Sequence, residues 1–122
     1  MIGIIHLGMG NIASVRNALE HLGVSSKVCL NPNEAKKCNR LILPGVGAFP
    51  SAIRSIERYG WDDFIKISAL EKKIPFLGIC LGMQLMLEHS YELEKSSGLS
   101  LVKGTVQPLS DKVKRNRLPA EY

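Results

Sequence analysis

The sequence predicts an α/β fold, a three-layer domain in which an open, mostly parallel sheet carries helices on its faces. Three observations predict it. Short apolar runs of strand length begin at Ile2, Lys27, Arg40 and Ile74, and they alternate with segments of helical periodicity. The first run is apolar on successive residues rather than alternate ones, as expected of a strand covered on both faces. Glycine-bearing turns follow the first, third and fourth runs, which puts them at the carboxyl edge of the sheet, where sites of open α/β folds gather. A chain of 122 residues with 45% hydrophobic residues holds one core and not two.

The elements follow in order. Ile2 to Leu7 is strand one, broken only by Gly3 and ended by His6. Gly8-Met9-Gly10 turns the chain, Asn11 is placed as a cap, and Ile12, Val15, Leu19 and Leu22 recur at helical spacing until Gly23. This loop also reads G-x-G-x-x-A with Ala13 third, as dinucleotide-binding turns do. Such a site wants an acid at the end of strand two, where Leu30 is followed by Asn31, so close helix–strand packing is the preferred account of these glycines. Lys27 to Leu30 is a short second strand, and Asn31-Pro32-Asn33 opens a polar turn before a single helical turn at Glu34 to Lys37. Arg40 to Leu43 is strand three. Pro50 falls in the first turn of a helix whose stripe runs through Ile53 and Ile56 to Gly60. Trp61, Phe64, Ile65 and Leu70 mark another helix, with Asp62 and Asp63 at its amino end, where they cap rather than catalyse. Strand four starts at Ile74, and after Cys80 a buried helix carries Leu81, Met83, Leu85, Met86 and Leu87. Glu92 to Gly98 reads as a charged surface loop, and Thr105 to Leu109 as a further strand.

The chemistry centres on Pro75-Phe76-Leu77-Gly78-Ile79-Cys80-Leu81-Gly82-Met83-Gln84. A strand, a sharp turn and a helix start would lift Cys80 to the apex of a nucleophile elbow, and Gly78 and Gly82 stand at the two positions where crossing backbones leave no room for side chains. There the thiol meets the amide end of the next helix, which favours thiolate and offers the Leu81 N–H to an oxyanion. The competing reading is a small buried residue in a glycine-rich turn. Gly45-Val46-Gly47 supplies a second loop whose backbone N–H groups are unscreened by side chains. Gln84, four residues after Cys80, falls one turn along the same helix face.

Leu43-Pro44-Gly45-Val46-Gly47 together with Gly78 to Gln84 resembles the class I (triad) glutamine amidotransferases. Gly8-Met9-Gly10-Asn11 and Ala48-Phe49 bring the likeness nearest to one branch, the glutaminase subunits of imidazole glycerol phosphate synthase in histidine biosynthesis. The resemblance runs from residue 2 to about residue 109. It implies a flavodoxin-like open sheet, incomplete at the C-terminus: a partial amidotransferase domain over residues 1–109, then a basic tail, 110–122, that departs from the family pattern. It also implies hydrolysis of glutamine through a Cys80 thioester. Gly45, Val46, Gly47 and Leu81 would serve the oxyanion and substrate, and Gln84 would hold the substrate. No metal or cofactor is implied. Ammonia would pass to a synthase (cyclase) partner of TIM-barrel type, in a cytoplasmic heterodimer.

Family members also supply a histidine, oriented by a carboxylate, several tens of residues beyond the cysteine. This chain ends at Tyr122, and its histidines are His6, His21 and His89. His89, nine positions along the predicted helix, falls on the opposite face and about 13 Å away. His21 faces elsewhere on the first helix. His6 shares the carboxyl edge, but His6-Leu7 stands where the family has an aspartate-tyrosine pair, and it is read as a bystander. The expectation is a truncated or frame-shifted amidotransferase, inactive as this fragment.

Composition narrows the alternatives. The net charge of +5 draws on Lys112, Lys114, Arg115 and Arg117 near the end, a solvated surface; 6% aromatics and no zinc-ligand spacing argue against nucleic acid. Cys29, Cys38 and Cys80 are odd in number and unpaired in spacing, which fits a reducing compartment. The start has no basic region, and its apolar run is too short for a signal peptide or membrane span. Three other readings stay open beside the histidine-pathway glutaminase. They are a non-catalytic docking or regulatory relative, an amidotransferase subunit for surface-polysaccharide sugars, and a nucleotide-binding module using Gly8 to Ala13.

Overall fold

The chain begins with β1 (Ile2–Ile5), α1 (Ile12–His21), β2 (Ser26–Cys29) and α2 (Pro32–Ala35) in a computed structural model that describes residues 1–8 and 10–109. There follow β3 (Arg40–Gly45), α3 (Phe49–Arg58) and α4 (Trp61–Lys66). A π-helical turn, Ile67–Glu71, carries α4 onward, and β4 (Phe76–Cys80) and α5 (Leu81–Leu85) complete the main layer. The expected starts and stops are physical: Asn11 accepts from the Ser14 N–H at 3.2 Å, Asn31 accepts from Glu34 N–H at 3.1 Å, and proline opens α3. Gly60, at φ +75°, turns the chain between α3 and α4.

β1 to β4 form a parallel sheet in the order β2-β1-β3-β4, as the alternating pattern predicts. Register divides the residues between two faces. Ile5, Leu41 and Leu43 face α3, α4 and α5, and with Ile56, Trp61, Ile65, Leu81 and Leu85 they make the core. Ile4 and Ile42 face the α1 side, together with Leu77, the register partner of Ile42. That side is thinly covered. No residue of α1 is buried, Leu77 is 55% exposed and Ile79 37%, and a groove of about 290 Å³ runs between Leu19 of α1 and Ile42 and Leu77 of the sheet.

Three local expectations are corrected. The helix after Cys80 does not reach Leu87: it ends at Leu85, because the carbonyls of Leu85, Met86 and Leu87 accept instead from the N–H groups of Leu99, Leu101 and Ser100 (2.8, 2.8 and 3.1 Å). Gly98 comes so close to the Leu87 carbonyl that no side chain would fit there. His89 is therefore not on that helix. It lies in β5 (His89–Ser90), which joins β6 (Ser96–Ser97) and β7 (Thr105–Val106) in a small mixed sheet, order β6-β5-β7, that the sequence reading did not foresee beyond a strand at Thr105. Cys38 is not in a polar turn but in the core, 6% exposed. The basic tail assigned to 110–122 lies outside the described residues.

Among the described residues β4 is an edge strand and the α1 side is thinly covered at Leu77 and Ile79, which predicts behaviour in solution. The 122-residue chain alone is expected to bind an apolar dye and to self-associate, and Leu77→Lys should reduce both while costing no more than about 0.5 kcal/mol, since it removes an exposed side chain. Sedimentation and denaturant melts decide; a monomeric, two-state protein with every amide protected would overturn the expectation.

Candidate active site at the carboxyl edge

Cys80 is the last residue of β4 and the cap of α5, with φ 54° and ψ −119°. A non-glycine residue there is strained by roughly 1–3 kcal/mol, and it stays because the surroundings permit no other path. An ideal Cβ on Gly78 would lie 2.7 Å from the backbone N and Cα of Met83, and one on Gly82 would overlap the Leu43 carbonyl oxygen. The two glycines thus let α5 fold back over its own strand and press on β3. The Cys80 residue is exposed, whereas Cys29 and Cys38 are buried, so the reading of Cys80 as a buried core residue is corrected. With only five residues, α5 has little macrodipole. What it offers Cys80 is the free N–H groups of its first turn, which no side chain caps.

Parallel register sets the second loop beside the elbow. Gly45 pairs with Cys80, and a Cβ on Gly45 would stand 3.4 Å from Leu81 Cβ and 3.5 Å from the Gly82 nitrogen. Val46 and Gly47 follow exposed, Gly47 in the left-handed region at φ +111°. Between this loop and the elbow lies a cleft of about 590 Å³, whose lining includes Gly45, Val46, Gly47, Cys80, Leu81 and Gln84. The six residues singled out from sequence are therefore brought to one cavity. Ser90, Glu92 and Leu93 line it too; Glu92 is exposed in a surface loop, as the sequence reading has it, but that reading did not connect the loop with the cleft. Ser90 is 1% exposed, and its Oγ accepts from the Glu92 N–H at 3.4 Å, which turns the chain toward the cleft. The single legible signal was an acid shortly after an apolar run.

The histidines stand apart. His6 follows β1, which β3 separates from β4, and His21 ends α1. His89 lies in β5 with Nδ1 buried and without a hydrogen-bond partner among the described residues. None of the three lines the cleft. Among the described residues no cluster of histidine, cysteine or acidic side chains suits a metal.

Sheet and cleft define an α/β protein that presents a cysteine on a strained elbow beside a glycine loop. A family model, Glutamine amidotransferase class-I, matches residues 4–117, and the chain belongs to that family. It is 50% identical over 119 residues to the imidazole glycerol phosphate synthase subunit HisH of Caldanaerobacter subterraneus subsp. tengcongensis, covering 98% of this chain and 57% of that protein. With the subunit of the same name from Bacillus licheniformis the identity is 49% over 111 residues, 91% of this chain and 52% of the other. The chain spans about half the length of the curated relatives it matches. A solved structure described as a crystal structure of glutamine amidotransferase superposes with a TM-score of 0.74 at 20% identity, over 87% of this chain and 55% of that one, and bears out the fold.

Two measurements check this geometry. Gly82→Ala should cost more than about 3 kcal/mol or prevent folding, whereas Gly23→Ala, at φ +73° with open space around it, should cost only about 1–2 kcal/mol. A glutamine-mimicking electrophile should label Cys80 first; equal labelling of all three cysteines, or faster labelling of Cys38, would remove Cys80 from the role of nucleophile.

Proposed function

We propose that the chain is the nucleophile-bearing part of the glutaminase subunit of an imidazole glycerol phosphate synthase. The observation that carries this reading is the pairing of Gly45 with Cys80, which sets a strained thiol and a glycine loop on either side of one cleft. Identity near 50% to HisH subunits supports the choice of pathway.

The chemistry runs from the thiolate. Cys80 Sγ attacks the side-chain amide carbon of glutamine, and the negative charge that develops on oxygen is held by backbone N–H groups of Leu81 and of the Gly45-Val46-Gly47 loop. The C–N bond then breaks, ammonia leaves with a proton, and water hydrolyses the thioester to glutamate. Gln84 hydrogen-bonds the substrate beside the sulfur. Glu92 places a negative charge in the same cleft and suits the α-ammonium group. Ammonia passes to a cyclase partner of TIM-barrel type within a cytoplasmic heterodimer. Residues 1–109 form the partial amidotransferase domain of this reading, and residues 110–122 a basic tail.

Proton transfer to the departing ammonia is the missing step. No histidine lines the cleft, and in this reading the histidine and its carboxylate come from the length by which the relatives exceed this chain. The same observation favours a second reading, a docking or regulatory relative that binds without turnover.

Ammonia release from glutamine separates these readings. The 122-residue chain alone should fall short of a complete relative by at least the 10²- to 10⁴-fold that acid–base assistance is worth. Adding the carboxyl-terminal half of the B. licheniformis subunit should restore release, and the same half added to a Cys80→Ala chain should not. Binding of that half without restored release would favour the regulatory reading. Turnover by the chain alone, abolished by His6→Ala, would overturn the assignment of His6 as a bystander.

A further inference from the structure

Two thiols lie outside the cleft and have no part in the chemistry above. Cys29 closes β2, pairs in register with Ile5 of β1, and is fully buried; Cys38 follows α2 and is 6% exposed. Both belong to the same core cluster. They converge on one strip of β1. Cys29 is opposite Ile5, and two residues back on the same face Gly3 leaves the space that Cys38 fills: a Cβ on Gly3 would stand 2.9 Å from Cys38 Sγ and 3.1 Å from its Cβ. Burial, then the neighbouring Cys38 charge and thiol hydrogen bond, push the Cys29 thiol up to about 11. Its Sγ also donates to the Lys27 carbonyl at 3.6 Å. The intervening segment is already folded back, with the Leu30 N–H donating to Glu34 Oε2 at 2.7 Å and the Cys38 N–H to the Ala35 carbonyl at 3.0 Å.

We propose that Cys29 and Cys38 are a guarded dithiol, which hydrogen peroxide closes to an intramolecular disulfide when the β2 edge of the sheet opens. Among the described residues β2 is the outermost strand on its side, paired with β1, and such edges open locally at less cost than the whole domain. In the closed state the pair is doubly protected, since peroxide is excluded and the neutral thiol is a poor nucleophile. Once the edge opens, Cys29 returns toward the ordinary thiol value of 9.0 and its thiolate fraction rises. A thiolate then attacks one peroxide oxygen, giving a sulfenic acid with loss of hydroxide. The second thiolate displaces hydroxide from that sulfur and the S–S bond forms. Two thiols and one peroxide become one disulfide and two waters, with two electrons passing from sulfur to the peroxide oxygens. Reclosure leaves β2 and α2 joined covalently across a short loop.

The test uses the full chain with exposed Cys80 blocked first by brief alkylation, and in parallel Cys80→Ala, so that the dithiol is read alone. After peroxide, non-reducing peptide mapping should find the Cys29 and Cys38 peptides linked, two hydrogens lighter than their sum. The protein should remain monomeric on a denaturing gel, and its melting temperature should rise by roughly 5 °C or more and fall back with dithiothreitol. Low urea, which opens the edge, should speed closure. Sulfinic acid on either cysteine without linkage, cross-linked dimers through them, thiols that stay free in low urea, or a lower melting temperature on oxidation would each overturn the proposal. Cys38→Ala, treated alike, should show no thermal gain.

Discussion

The contact on which the rest depends is the one where α5 lies against β3. The backbone of Gly82 presses on the Leu43 carbonyl so tightly that a single methyl group would overlap it, and Gly78 yields in the same way to Met83. Remove that closeness and the turn at Cys80 relaxes, because nothing else holds a cysteine at φ 54°. The strain is local, but its support spreads over two strands and a helix. Packing therefore stabilises the reactive geometry in advance, before any ligand arrives.

Parallel register does the remaining positioning. Because β3 and β4 run the same way and pair Gly45 with Cys80, their loops leave the sheet side by side. The small β5–β6–β7 sheet then folds under the end of α5 and returns Glu92 and Leu93 to the cleft. Two walls come from the main sheet, and the third comes from an appendage held by the hydrogen bonds of Leu99, Ser100 and Leu101 to the carbonyls of Leu85, Leu87 and Met86, at and just past the end of the helix.

What was legible in the sequence was what short-range chemistry decides. Apolar runs marked the strands, Asn11, Pro50 and Gly60 marked boundaries, and the spacing of Gly78, Cys80 and Gly82 marked the elbow. What stayed hidden was decided at a distance. Leu81 to Leu87 carries a helical pattern throughout, yet the helix stops at Leu85 because residues 98 to 102 compete for its carbonyls. That competition is invisible in a window of seven residues. Glu92 is solvated, as its charged neighbours suggest, but that it also borders the cavity follows from the turn at Ser90, which its own stretch of sequence does not reveal. Cys38 looked polar by its surroundings in sequence, whereas its true neighbour is Gly3, thirty-five residues earlier.

Among the described residues β4 has no neighbour on its outer side, and that has a consequence for control. A strand that joined the sheet on that side would pair with Phe76–Cys80 and so run directly beside the elbow, the shortest route by which another group reaches the sulfur. Cys80 and the glycine loop are in place beforehand, so a newcomer need only bring its own side chain and no rearrangement of the cleft. On the proposed function such a centre is armed by assembly, the way a two-key lock waits for its second key.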